Sequence, residues 1–410
     1  MNVSSFIAKR IAFNQEKSFS RFVIRLSVAA TVISVSVMIV TIAFANGFQE
    51  TISQKVFSFW GHIRIQNYEA ARVAIAEETP ILKNDSVDNL VKMYPAIKNV
   101  QSFATKNAIL KTSETIEGVL FKGVEKNYDF SNLDKFLVGG RWIHFPDSGY
   151  SSEINLSAST AQQLRLKVND HVLIYFIQPD GAAPRPRKLL VAGIYKTGIE
   201  EYDKLIAIGD LRLIQRLNNW NENQIGGYEI FLKDFRQMDK VNSEILYDIP
   251  IGFNSSTIRQ IYPNIFDWLA LQDKTIVIVL IIMIGIALLN LITCLLILVL
   301  ERTRMVGILK ALGARNFTVQ KIFLYHATII TITGLLLGNV LGLTICWLQQ
   351  RYGFITLPED AYYISQAAVD ISWWHVALVD IATLVICFII LFIPSIIVKR
   401  IQPVKAIQFR

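Results

Sequence analysis

Cysteine is nearly missing from this chain. Of 410 residues only Cys294, Cys346 and Cys387 are cysteines, and each lies inside a long apolar run. A disulfide framework and a cysteine zinc site are excluded, which leaves small apolar packing as their expected role. Nucleotide-binding loops are missing too. The nearest approach to G-x-x-x-x-G-K-[ST] runs from Gly118 to Gly123, and Val124-Glu125 follows where Lys and Ser/Thr would meet phosphate and Mg²⁺. Neither H-E-x-x-H nor G-x-S-x-G occurs. The five histidines (His62, His144, His171, His326, His375) are scattered, with no metal-ligand spacing. An enzyme is therefore not expected: no catalytic residue, no metal and no cofactor. Charge is scarce as well. Charged residues make up 18% of the chain and hydrophobic ones 52%, with a mean hydropathy of +0.38. That is too apolar for a soluble protein and too charged to lie wholly in lipid.

What is present is a set of charge-poor runs. Residues 276–300, IVIVLIIMIGIALLNLITCLLILVL, carry no charge, and 25 residues suffice to cross a hydrocarbon core of roughly 30 Å as one helix. Further spans are expected at 22–45, 324–348 and 374–398. Arg25, the one charge in the first, can snorkel at its cytoplasmic end. Ala43-Phe44-Ala45 resembles a signal-peptidase site, but the run is longer than a usual signal h-region, and an uncleaved anchor is expected. The third span holds Gly334, Gly338 and Gly342 at four-residue spacing, the pattern that lets another helix approach closely. Trp373 and Trp374 open the fourth as interface anchors. Asp380 lies within it, where an intramembrane carboxylate reads either as a functional site or as a group near the outer interface.

The net charge of +8 would point to nucleic acid if clustered on a soluble domain. Instead Lys9, Arg10, Lys17, Arg21, Arg25, Arg302, Arg304, Lys399 and Arg400 flank the spans, so topology explains it and no nucleic acid is expected. The 1–21 segment, the elbow 301–323 and the tail 399–410 are basic, whereas the loop 349–372 has only Arg351. The positive-inside rule puts both termini and the elbow in the cytoplasm, and the large domain outside. The elbow, ERTRMVGILKALGARNFTVQKIF, has an apolar spacing (Met305, Ile308, Leu309, Leu312) too regular for a slack linker.

Residues 46–270 are expected to form an α+β domain between the first and second spans. A helix continues from the membrane, followed by a strand over 62–66. Strands are expected at 100–110, 117–123, 172–177, 189–195, 204–208 and 228–232. Helices are expected at 85–92, capped by Asp85 or Ser86, and at 210–217 and 238–246, with a short strand and helix across 153–164. Between two strands sits Gln178–Lys188, QPDGAAPRPRK. Pro179, Gly181, Pro184, Arg185, Pro186 and Arg187 read as a stiff protruding finger, either a solvated loop tip or a cationic docking element.

These residues resemble a known family, the permease subunits of lipoprotein-releasing ABC transporters of the LolC/LolE type, within the FtsX/MacB-like permease superfamily. Phe6-Ile7-Ala8-Lys9-Arg10, Asn46-Gly47-Phe48 and Gly140-Arg141-Trp142 are similar to family motifs. Val191-Ala192-Gly193-Ile194-Tyr195-Lys196-Thr197-Gly198, followed by Glu201-Tyr202-Asp203, is a long match. Gly307-Ile308-Leu309-Lys310-Ala311-Leu312-Gly313-Ala314 resembles the elbow of the whole superfamily. Met305 and Val306 depart from it, standing where relatives often carry an acid and Ile.

The resemblance implies four transmembrane helices in an inner-membrane protein, with 271–398 as an FtsX-like permease domain. The external part would form two subdomains, the second near 140–222. The elbow, with Glu301, Arg302 and Arg304 at its start, would couple to a separate cytosolic ATPase (LolD-like) that binds the ATP. A second permease copy or paralogue would complete the assembly. The finger would hook a periplasmic lipoprotein chaperone (LolA-like), and triacylated lipoprotein cargo would enter from membrane lipid. Two other readings stay open: a non-transporting signalling scaffold of the FtsX kind, and an efflux permease of the MacB kind.

Overall fold

The first described helix forms because its sequence is apolar around most of its circumference over 22–45, with no glycine or proline until Gly47. The computed structural model describes residues 19–68, 79–178 and 182–390. Helix α1, Phe19–Trp60, is 42 residues long. At 1.5 Å per residue that is roughly 60 Å, about twice a hydrocarbon core. By contact the chain divides into two units. One holds the residues up to Glu50, Leu269–Thr356 and the chain from Gln366 onward; the other holds Thr51–Trp268 and Leu357–Ser365.

In the second unit β1 (Ile63–Asn67) and β2 (Ile81–Leu82) precede two short helices, α2 (Asp85–Asp88) and α3 (Leu90–Met93). The single helix expected over 85–92 breaks at Asn89. Its cap is Asn84, whose Oδ1 accepts from the Ser86 N–H at 2.8 Å; neither Asp85 nor Ser86 plays that part. β3 (Ile97–Lys111), β4 (Ile116–Val124), β5 (Leu137–Gly140), β6 (Glu153–Ser157), α4 (Ala158–Gln163), β7 (His171–Phe176) and β8 (Arg185–Tyr195) follow. The strand expected over 204–208 is instead the end of α5 (Glu200–Leu205) and the start of β9 (Ile206–Asp210). Glu200, Glu201 and Asp203 in the first turn of α5 favour a helix start. α6 (Leu211–Asn218), β10 (Gln224–Ile225), β11 (Gly227–Leu232), α7 (Met238–Ile245), β12 (Phe253–Thr257) and α8 (Ile258–Ile261) complete the unit.

Ten strands share one sheet in the order β12-β1-β11-β3-β4-β9-β6-β8-β5, and β7 pairs with both β3 and β8. That double pairing closes a six-stranded ring, β3-β4-β9-β6-β8-β7. Leu110, Phe121, Ile154, Leu156, Ile174, Phe176 and Val191 are buried on its strands. Strands β7 and β9 of the 140–222 segment pair with β3 and β4 in this ring. Gly209 on β9 has no side chain because a Cβ there would lie 1.9 Å from the Phe121 ring.

α9 is Pro263–Glu301, α10 is Thr303–Ala311 and α11 is Asn316–Tyr352; after the short α12 (Glu359–Tyr362) comes α13, Trp373–Ile390. The first unit contains α1 as far as Glu50 and, among the described residues, three further long or apolar helices, α9, α11 and α13. Among the described residues, three helices, Phe22–Trp60, Pro263–Glu301 and Asn316–Tyr352, are long and apolar enough to span a bilayer, and Trp373–Ile386 is a shorter apolar helix. Residues 1–18 and 391–410, which hold the first family motif and the basic tail, lie outside the described residues. The elbow is shorter than the expected 301–323. Its helix ends at Ala311, Gly313 turns the chain with φ +89°, and 316–323 already belong to α11.

Candidate functional site

The elbow is built by a break and a turn. α9 ends at Glu301, and Thr303 Oγ1 donates to the Leu300 carbonyl at 2.7 Å. Val306 and Gly307 are buried. Val306 packs with Val299, Val319, Phe323 and Ala327, and Met305, Leu309 and Ala314 lie against this cluster. The four-residue apolar stripe read from sequence therefore divides. Met305 and Leu309 face inward, while Ile308 is 47% exposed and Leu312 80% exposed. Phe317, at the start of α11, is 62% exposed. Arg304 and Ala311 are exposed; Arg302 and Lys310 are half-buried. The elbow thus turns an apolar and basic surface away from its own core.

The three glycines of α11 stand where α1 crosses closely. A Cβ on Gly334 would lie 2.6 Å from Thr31, one on Gly338 would lie 2.8 Å from Val35, and one on Gly342 would lie 3.2 Å from Ser36. Asp380 on α13 accepts from Asn339 Nδ2 at 2.7 Å, tying α13 to α11.

The finger is shorter than its sequence implied. β7 and β8 pair up to Phe176↔Arg185, so Arg185, Pro186 and Arg187 are strand residues, and the described part of the loop is 177–178 and 182–184. Pro179 and Gly181 lie outside the described residues. Ala182, Ala183 and Pro184 are exposed. Arg185 is already engaged: its guanidinium donates to the Leu217 carbonyl at 2.8 Å, at the C-terminal end of α6. Arg187 donates to the Pro186 carbonyl. Lys188 is exposed and, with Lys111, Arg165, His171, Leu173 and Tyr175, lines an open cleft of about 820 Å³.

The Val191–Asp203 motif is a bracket. The Asp203 carboxylate, 5% exposed, accepts from the Thr197 N–H at 2.9 Å, from the Thr197 hydroxyl at 2.8 Å and from the Gly198 N–H at 3.0 Å. Gly198 has φ +74°. Tyr195 donates to the Ile206 carbonyl, and Tyr202 packs on Phe59 and Trp60 at the end of α1. The Gly140-Arg141-Trp142 turn is a second bracket. Arg141 forms a fork onto Glu153 with contacts of 2.7 and 2.6 Å, and these hydrogen bonds hold the Glu153 carboxyl below its usual range. Trp142 stacks on Phe130 at 4.9 Å.

Sequence reading missed the ion pair beneath α1. Lys122 Nζ donates to the Phe59 carbonyl at 2.5 Å and pairs with Glu229 at 2.7 Å, with the two side chains 1% and 0% exposed. The rings of Phe59, Trp60, Phe103 and Tyr128 lie 4.7 to 5.9 Å from that ammonium. A lysine and a glutamate 107 residues apart leave no local signal.

The comparisons agree with this architecture. The MacB-like periplasmic core domain model matches residues 26–246, more than half of the chain, and the FtsX-like permease C-terminal model matches residues 277–403. The chain belongs to the MacB-like periplasmic core family, and its residues 277–403 match the FtsX-like permease C-terminal domain. Within that class it is similar along nearly its whole length to proteins of lipoprotein-releasing systems. The transmembrane protein LolC of Xylella fastidiosa (strain Temecula1) is 22% identical over 409 residues, 96% of each chain. LolE of Haemophilus influenzae is 22% identical over 423 residues, 100% of each chain. LolC of Neisseria meningitidis serogroup B is 24% identical over 422 residues, 96% of each chain. The relatives found are of the kind the 191–203 motif resembles, and the 307–314 motif falls within the FtsX-like match. The chain thus joins an α+β core domain of the MacB-like periplasmic kind to long apolar helices that match an FtsX-like permease, as expected of a membrane protein.

Proposed function

We propose that this chain is a permease subunit that extracts lipoproteins from the outer leaflet of the inner membrane and passes them to a soluble periplasmic chaperone. The observation that carries the reading is the near end-to-end similarity to lipoprotein-releasing LolC and LolE proteins. The three long apolar helices and Trp373–Ile390 are read as four spans, with both termini in the cytoplasm. The exposed side chains Ile308, Leu312 and Phe317 form the seat for a separate cytosolic ATPase, which binds the ATP. Burying one leucine of this kind against a partner is worth about 1.5 to 3 kcal/mol. Closure of two ATPases tilts the elbow, and the spans of this permease and of a second copy or paralogue expel the acyl chains. The 177–184 finger, with Arg187 and Lys188 at its base, receives the chaperone.

A photo-reactive residue placed at Ala183 tests the finger in membranes supplied with the chaperone. A specific adduct, weakened by Arg187→Glu with Lys188→Glu, is expected. No adduct from a folded, ATPase-bound permease would remove the hook from this chain.

A further inference from the structure

The chain between α11 and α13 makes a closed loop on a narrow neck. Gln349, 2% exposed, donates to the Ile355 and Ala367 carbonyls and accepts from the Ile355 N–H. Thr356 bridges Gln366, and the Leu357 N–H donates to the Ser365 carbonyl. Beyond this neck, residues 357–365 pack with the core-domain unit, whereas Gln349 and Thr356 belong to the helical unit.

The loop tip meets a prepared receptor. Glu359 pairs with Lys196 at 2.5 Å, the side chains 25% and 50% exposed. Lys55 donates to the Tyr363 carbonyl at 2.7 Å. The Tyr363 ring stands edge-on to Trp268 at 5.9 Å, and Ile364 is buried. At Gly198 a Cβ would lie 2.3 Å from Glu359 Oε1 and 2.7 Å from Lys55 Nζ. The missing side chain thus leaves a slot that the Glu359 carboxylate fills. The receptor is the Asp203-held turn, so part of the 191–203 motif serves to present Lys196 and the Gly198 slot.

Partly exposed ion pairs are weak and open readily, whereas the neck is held by three hydrogen bonds of the Gln349 amide, itself 2% exposed. We propose that residues 357–365 are a releasable strap. It latches onto the core domain through Glu359 in the Gly198 slot, and it opens and closes during the permease cycle. While latched, it adds a link by which movement of α11 and α13 reaches the core domain. This rests on the reading of the chain as an ATP-driven permease.

The core-domain unit and the strap contain no cysteine, so Lys196→Cys with Glu359→Cys reports the latch directly in the whole permease–ATPase assembly. Disulfide yield is expected to differ between nucleotide-free and vanadate-trapped membranes. Glu359→Lys alone and Lys196→Glu alone are expected to lower lipoprotein released per ATP by about fivefold, the shift from losing one exposed pair and adding one repulsion. The double exchange is expected to restore it, with thermal stability unchanged throughout. Equal disulfide yields in both states, or single variants that transport normally, would overturn the strap. An assembly that releases no lipoprotein while the yield still follows nucleotide state would keep the strap and overturn the lipoprotein reading.

Discussion

Lys122→Met removes a buried cation whose carboxylate partner has no access to water. Glu229 is 0% exposed and lies 2.7 Å from the ammonium, and the Phe59 carbonyl at the end of α1 loses its 2.5 Å donor. Breaking one side of such a pair costs about 3 to 5 kcal/mol, because the remaining charge stays desolvated. For a domain of this size, that is a fall in Tm of about 10 °C. Replacing both partners, Lys122→Met with Glu229→Leu, removes the stranded charge and is expected to recover most of the loss. Tryptophan fluorescence suits the measurement, since Trp60 lies 4.7 Å from the ammonium. A loss below about 1 kcal/mol for the single variant would refute the reasoning, since it would mean that Glu229 is solvated or neutral when Lys122 is gone.

Burial lowers the His62 imidazole to about 4, with Asp234 opposing that shift, and its Nδ1 accepts from the Leu232 N–H. The unfolded chain takes up a proton that the folded chain refuses. Stability is therefore full above about pH 6.5 and falls by about 3 kcal/mol as pH drops to about 4, and His62→Gln flattens that slope in pH-dependent melting. Gly338→Val drives a side chain against Val35, so lower yield of folded protein is expected in fluorescence-detected chromatography, whereas Leu337→Val at an exposed position is silent. Leu312→Glu leaves the permease folded, because Leu312 is 80% exposed, but weakens ATPase co-purification by about tenfold or more.

The long helices were legible because a charge-free run of 25 residues has few alternatives. Most core-domain strands were legible to within a few residues. β12 was not, because F-N-S-S-T lacks alternation and gains its place by pairing with β1. The elbow's limits depended on Gly313 turning the chain and on Asn316 beginning a helix whose apolar run starts only near 324. Division of the elbow stripe into inward Met305 and Leu309 and outward Ile308 and Leu312 follows from packing on Val319 and Phe323, which periodicity alone does not specify. The finger's cations were plain in sequence. The Arg185 contact with Leu217 crosses 32 residues, so its engagement was not. The 191–203 motif was visible as a family mark, while its use, the Asp203 bracket and the Glu359 slot, needed the fold.

The most direct test is release from a defined membrane. The permease with its partner permease and ATPase, reconstituted in proteoliposomes with a triacylated lipoprotein, is supplied with ATP and the soluble chaperone. The account predicts ATP-dependent transfer of lipoprotein into the soluble fraction, lost with Leu312→Glu. Sustained ATP hydrolysis with the lipoprotein left in the bilayer would contradict it.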